Sequence, residues 1–321
     1  MHYIVLDMEW NQPLSKNAYP FTQVGDRLEF EILQIGAVKL DEKQQILDTF
    51  DVTIRPQYYK KLHFHVKKIT GLTQEDLMAG PTFREAMERF LAFCEEDPVF
   101  VTWGYDDMPI LEQNLHFYDM DTAFCKNWYN LQVLYNTQLK QDASQKGLST
   151  ALEYFSILPE EKFHNALNDA YYTALVLQKL DMRTGMDSYL EDMYGHGFCR
   201  VEELPVCADP DAVRECESAQ RTLCPDCGAP LTPDSDWINC GNFKFLRIAR
   251  CPQHGAFHLQ LKVKKALGGK FWGTLVLRRA DEELVDQVRK KAQKEKKRLE
   301  HLARKAAEQR VTPSAQSFFK E

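Results

Sequence analysis

Apolar positions follow two periods along this chain, and together they predict an α/β layer followed by a cysteine-rich segment. Residues 3–6, Tyr-Ile-Val-Leu, form a short apolar run ending on Asp7 and predict a buried strand. Residues 31–40 predict a second strand, and residues 48–55 alternate with period two up to Pro56 and predict a third. Asp41-Glu42-Lys43 supplies the turn between them. From Thr82 to Cys94, apolar residues at Phe83, Ala86, Met87, Phe90, Leu91 and Cys94 have helical spacing, with Thr82 as N-cap. Residues 98–103 predict a fourth strand, residues from about Met108 to Leu115 a helix, and residues 165–180 a longer helix. Strands, then helix, strand and helices, give an α/β class with a mixed sheet over about 1–185.

The rest of the chain reads differently. From 186 to 221 the periodicity weakens among scattered acids and prolines, which predicts a connector. A cysteine-rich domain is expected over 222–280, and a helical tail over 281–321. Of 321 residues, 44% are apolar and 27% charged, which excludes a wholly disordered, collagen-like or disulfide-miniprotein chain. Nine cysteines cannot all pair within one chain. No segment approaches about 18 uncharged apolar residues, and the first residues carry no basic leader. The expectation is a cytoplasmic protein with no membrane partner.

Three acidic features stand at predicted element ends. Asp7 and Glu9 are two apart, so on a strand they share a face. Paired carboxylates repel, and a divalent cation relieves that repulsion. Taken alone, the pair also fits ordinary solvation of a strand end. Asp106-Asp107 follows the fourth strand, where an acid also suits the N-terminus of the next helix. His164 stands at the start of the 165–180 helix, with Asp169 about one turn in, on a face otherwise made of Ala166, Ala170, Thr173 and Ala174. A carboxylate on such a packed face is unfavourable unless something ligates it.

Taken in order, these residues resemble the DnaQ-like exonucleases with a catalytic histidine, the DEDDh family of the ribonuclease H-like superfamily. Asp7-Met8-Glu9 matches the family's D-x-E. Trp103-Gly104-Tyr105-Asp106-Asp107-Met108-Pro109-Ile110-Leu111 matches W-G-x-x-D-x-x-x-L, and Leu111 selects Asp107 over Asp106. His164 to Asp169-Ala170 matches H-x-x-x-x-D-A. Gln34-Ile35-Gly36-Ala37-Val38, Thr70-Gly71-Leu72-Thr73, Asn130-Leu131 and Gly147-Leu148 are similar to supporting stretches of the family. The resemblance implies a ribonuclease H-like mixed sheet flanked by helices. It also implies metal-dependent 3′-to-5′ hydrolysis of phosphodiesters at single-stranded 3′ ends, with a lean towards RNA or short oligonucleotides. Asp7, Glu9, Asp107 and Asp169 would hold two Mg²⁺ or Mn²⁺ ions, whose hard charge suits carboxylate oxygen. His164 would be the general base. Trp10, directly after the first motif, fits either stacking on a terminal base or packing under a loop.

Cys224-Pro225-Asp226-Cys227-Gly228 and Cys251-Pro252-Gln253-His254-Gly255 are two ligand knuckles, each followed by glycine. Their spacing predicts a zinc ribbon with one structural Zn²⁺ on Cys224, Cys227, Cys251 and His254. Cys240 and His258 are alternative ligands or ordinary packing residues. Basic and aromatic residues interleave from Asn242 to Trp272, which suits either nucleic-acid binding or protein docking.

Net charge modifies this picture. The whole chain carries −7, which argues against generic nucleic-acid affinity. Yet Arg289–Arg310 holds ten basic residues against three acids, a local net of +7. That stretch fits either a phosphate-tracking helix or a solvated one, and a protein partner there is equally open. The competing class is a catalytically vestigial nucleic-acid binder or regulator using the ribbon and tail; the complete set of four acids and a histidine weighs against it.

Overall fold

The computed structural model describes residues 1–140, 146–265 and 269–311, together with their side chains except at 302–303 and 306–311. The last ten residues of the expected tail, 312–321, lie outside the described residues. The chain divides into two compact units, Met1–Met193 and a second beginning at Tyr194.

The first unit opens with β1 (His2–Asn11) and α1 (Tyr19–Val24), followed by β2 (Glu31–Leu40) and β3 (Ile46–Thr53). Short helices α2 (Phe64–Thr70) and α3 (Gln74–Ala79) precede α4 (Phe83–Cys94) and β4 (Pro98–Thr102). Then come α5 (Asp107–Phe117), β5 (Trp128–Asn130), α6 (Leu131–Gln138), α7 (Leu148–Tyr154), α8 (Ala166–Leu177) and α9 (Met182–Tyr194). The strand order is β3-β2-β1-β4-β5, antiparallel from β3 to β1 and parallel from β1 to β5. Thr82 and Glu85 close a capping box at α4, which fixes where that helix begins. The short β5 and helices α2, α3, α6, α7 and α9 were not marked by periodicity.

Both faces of this sheet are covered, which is why β1 reads as a continuous apolar run. Tyr3 and Val5 pack towards α6, α7 and α8, while Ile4, Leu6 and Met8 pack towards α4 and α5. The alternation carries Asp7 and Glu9 onto the α8 side. Gly36, paired with Asp7 across the β1–β2 ladder, is where α8 meets the sheet. A methyl group there would overlap the backbone of Ala166 and Leu167. Gly36→Ala is therefore expected to lower unfolding stability by about 1–3 kcal/mol through overpacking. Activity should fall further than stability, because Asp169 rides on the displaced helix; urea titration alongside a rate measurement checks this.

The second unit holds β6 (Phe198–Cys207), α10 (Pro210–Glu215), α11 (Glu217–Gln220), β7 (Thr232–Pro233) and β8 (Ile238–Asn239). It continues with β9 (Lys244–Cys251), β10 (Gly255–Lys265), β11 (Phe271–Arg279) and α12 (Glu282–Val311). Its antiparallel sheet runs β6-β11-β10-β9-β7, with β8 also on β9. The expected connector at 186–221 is corrected here. It contains the end of α9, an edge strand paired with β11, and two helical turns on the second core. Its mixed pattern suits an edge strand, where Pro205 and the acids Glu202 and Glu203 are tolerated. The segment expected to form a ribbon is thus part of a larger antiparallel sheet that begins at Phe198. Val285 and Val288 pack the start of α12 onto Ile238 and Ile248. No described helix is long and apolar enough to cross a membrane.

Candidate active site

Three elements deliver the five residues singled out in the first unit. β1 supplies Asp7 and Glu9, opposite Gly36 and Gln34 in the ladder. The pairing of β1 with β4 ends at Val5–Val101, leaving the later amides of that edge open. Met8 N–H uses this freedom and donates to Asp107 Oδ1 at 3.0 Å. Asp107 is buried in the first turn of α5, whereas Asp106 is exposed. Asn165 caps α8 by accepting from Asn168 N–H at 3.2 Å. Asp169 lies in the first turn of that helix, and its Oδ2 accepts His164 N–H at 2.8 Å. His164 is exposed and held at φ 64°, in the left-handed region.

One oxygen of Glu9, one of Asp169 and a ring nitrogen of His164 lie within 4.8 Å of one another. Asp7 joins them along a cavity of about 340 Å³ whose other wall is Trp10, Gln12, His65, Val66 and Ile69. Asp107 is not among the residues lining this cavity; it is held beside β1 by the Met8 amide. Desolvation, and then the charges of Asp107, Asp169 and Glu9, holds the Asp7 carboxyl well above the ordinary carboxylate range. Desolvation also pushes Glu9 up to about 7, reinforced by Asp169 and Asp107. Asp107 rises to about 7 through burial, against the pull of the Met8 amide. Asp169 is raised by desolvation as well. Its Oδ1 is buried and has no hydrogen-bond partner among the described residues. An orphaned carboxylate oxygen beside three further acids is what a divalent cation satisfies.

Several residues that shape this site carry no motif. Gln34 Oε1 accepts Ala166 N–H at 3.3 Å, tying the start of α8 to β2. Asn11, fully buried at the end of β1, donates from Nδ2 to Tyr59 O at 2.7 Å and Lys61 O at 3.1 Å. Its Oδ1 accepts His63 N–H at 2.9 Å. Glu31 accepts the amides of Gln57 and Tyr59, each at 2.6 Å, and that of Tyr58 at 3.1 Å. The two side chains fix residues 57–63 and so place α2, whose His65, Val66 and Ile69 form the cavity wall. Their only sequence signal is a polar residue inside a strand. Asn11→Ala is expected to raise KM several-fold with a smaller change in kcat, because it loosens the wall and leaves the acids in place. Trp10 borders both this cavity and a second of about 370 Å³ lined by Phe30, Asp106 and Gln113. Its ring meets Phe30 edge-on at 6.2 Å.

In the second unit, Cys224, Cys227, Cys251 and His254 converge, all four ligand atoms within 4.8 Å of one another. Cys227 Sγ and Cys251 Sγ are 3.7 Å apart, and His254 Nδ1 is 3.6 Å from Cys224 Sγ and 3.5 Å from Cys251 Sγ. A tetrahedral ion with bonds of about 2.0–2.3 Å requires edges of this length. Gly228 (φ 71°) and Gly255 (φ 78°) turn each knuckle through the left-handed region. Cys240 and His258 stand outside the cluster. His258 is buried, accepts from Arg278 Nε at 3.3 Å, and is pushed down to about 3 by burial first and neighbouring cations second.

Residues 21–177 match the family model "RNase_T: Exonuclease", a span that includes Asp107, His164 and Asp169. The chain is 28% identical over 183 residues to "Probable 3'-5' exonuclease KapD" of Bacillus subtilis, covering 55% of this chain and 82% of that protein. It is 26% identical over 176 residues to "DNA polymerase III PolC-type" of Clostridium perfringens, covering 55% of this chain but 11% of that protein. Among solved structures it is similar to the nuclease domain of 3'hExo, a DEDDh family member, bound to rAMP. That match has 21% identity and a TM-score of 0.48, covering 56% of this chain and 90% of the other. Residues 21–177, within the first unit, thus match an RNase_T exonuclease domain, and the chain is homologous to 3′-to-5′ exonucleases.

Proposed function

We propose that the first unit hydrolyses the terminal phosphodiester at the 3′ end of single-stranded nucleic acid, with RNA and short oligonucleotides as the favoured substrates. The observation that carries this reading is the unpartnered Asp169 Oδ1 among carboxylates from three elements. Asp7, Glu9, Asp107 and Asp169 would hold two Mg²⁺ or Mn²⁺ ions, which supply Lewis acidity for water activation and leaving-group charge. His164 takes the proton of the attacking water at its imidazole, and its exposure leaves the ring free to reach that water. The His164 amide orients Asp169, and the Met8 amide orients Asp107. Trp10, His65 and Ile69 offer apolar and aromatic surface to the terminal nucleotide across the cavity. In the second unit, Cys224, Cys227, Cys251 and His254 would hold one structural Zn²⁺.

The test is incubation with 3′- or 5′-labelled single strands and Mg²⁺ or Mn²⁺. Stepwise 3′ shortening is expected; its absence, or its survival in Asp7→Ala, defeats the reading. Matched RNA and DNA strands run side by side decide the sugar. A pH dependence follows from Glu9 and Asp107. Both titrate near 7 in the folded protein and nearer 4 when unfolded, so the folded state binds protons more tightly. Their effect lowers stability as pH rises from about 4 towards 7 and stays constant above that, on the order of 3 kcal/mol for Glu9 alone. Mn²⁺ should therefore raise the Tm more at pH 8 than at pH 5, read by thermal unfolding of protein that retains its zinc.

A further inference from the structure

We propose that the open half of the second unit's sheet, where Lys244, Lys262, Lys264 and Trp272 lie side by side, binds the body of the single strand whose 3′ end the first unit hydrolyses. The inference rests on the proposed function for the identity of the strand. Along β10, Phe257, Leu259, Leu261 and Val263 enter the second core, so His258, Gln260, Lys262 and Lys264 stand on the opposite face. The start of α12 covers one end of that face, through Val285 and Val288 on Ile238 and Ile248. At the other end the register sets Lys262 opposite Lys244 on β9, and Lys264 opposite Trp272 on β11.

Like charges directly opposite one another on a sheet are destabilising. Lys244, Lys262 and Lys264 are all exposed. Among the described residues none of the three forms an ion pair. Glu203, opposite Thr274 on β11, is the acid that the register brings to this region. The crowding is felt locally: burial, and then the charge of Lys262, holds Lys264 below the ordinary lysine range. Lys291 of α12 adds to the same field, since it and Lys244 both bear on His258. The aromatic component is equally placed. Lys264 Nζ lies 5.1 Å from the centroid of Trp272, and Phe243, next to Lys244, is 50% exposed. Cations that track phosphates, interleaved with aromatic faces for bases, are the chemistry of single-strand binding. A protein surface would instead be expected to satisfy these lysines with carboxylates or to centre on an apolar patch.

The experiment uses the full chain carrying Asp7→Asn, so that the probe survives. Binding of labelled 20-nucleotide oligouridylate and oligothymidylate is followed by fluorescence anisotropy across a salt series. Combining Lys244→Gln, Lys262→Gln and Lys264→Gln should weaken Kd about tenfold and flatten the log–log salt slope by about 2, the value for three lost phosphate contacts. The same three positions changed to Arg should retain affinity, which separates lost charge from damaged folding. In the otherwise unaltered enzyme, the Gln variant should cleave a dinucleotide at the normal rate. Unchanged Kd and slope overturn the proposal, as does a Gln variant that keeps strand affinity but loses association with another protein. A wild-type chain inert on the dinucleotide would sink the catalytic reading while leaving the binding measurement decisive.

Discussion

Asp7→Asn is expected to slow 3′-end hydrolysis by about a thousandfold or more and, without Mg²⁺ or Mn²⁺, to stabilise the protein increasingly as pH rises. Both effects have one cause. Asp7 is the acid on which the others converge: desolvation and the charges of Asp107, Asp169 and Glu9 all oppose its ionisation. Because its folded-state pKa is raised, ionisation above the unfolded value near 4 weakens the folded state. Asparagine stays neutral, so the gain in Tm should be smallest near pH 4 and grow towards pH 8. The same neutrality removes a ligand, so the variant should lose the Mn²⁺-induced rise in Tm. Opposite signs for activity and stability distinguish a charged functional site from a structural one. A variant that is inactive and equally destabilised at every pH would identify Asp7 as a packing residue.

If Cys224, Cys227, Cys251 and His254 hold zinc as proposed, its removal should have the largest effect on stability. Four ligand atoms at tetrahedral spacing join the turn at 224–228 to the β9–β10 turn. Cys224 and Cys251 are themselves members of the second core, beside Phe257 and Leu231. Apparent Zn²⁺ binding energies in such sites are about 10–16 kcal/mol, comparable with the whole stability of a domain. Cys251→Ser, or a strong zinc chelator, should therefore leave the β7–β9 end of this sheet open to protease at temperatures where the native chain resists. Metal analysis of purified protein should give about one zinc per chain. A value well below that, with a protease-resistant second unit, would refute the assignment.

Local pattern went part of the way for the acids: the parity of β1 places Asp7 and Glu9 on one side and the small residues around Asp169 make its charge conspicuous, whereas the choice of Asp107 over Asp106 came from the resemblance to the family's motif. The paired knuckles were legible for the same reason, since ligands and turn glycines are neighbours in sequence. Partners far apart in the chain were not legible. Gly36 matters because α8, about 130 residues later, lies against it. Asn11 and Glu31 matter because residues 57–63 return to them. β6 escaped notice because an edge strand needs alternation on one side only, and its pairing with β11 lies more than 60 residues away.

Those anchors have a consequence for how the chain tolerates change. Between Asn11 and Leu28, both fully buried, residues 14–17 are exposed, and Val24 is already back in a cluster with Leu28 and Tyr59. Leu28 is fastened separately, its carbonyl accepting the Tyr59 hydroxyl at 2.6 Å. Each end of this excursion is tied to the 57–63 strap, so its length and composition are decoupled from the positions of the acids. Doubling such a loop adds only about 0.6 kcal/mol of closure entropy. The exposed residues 14–17 are thus a natural insertion and grafting point. Cassettes exchanged there should retune which strands enter the cavity while the hydrolytic machinery stays in register.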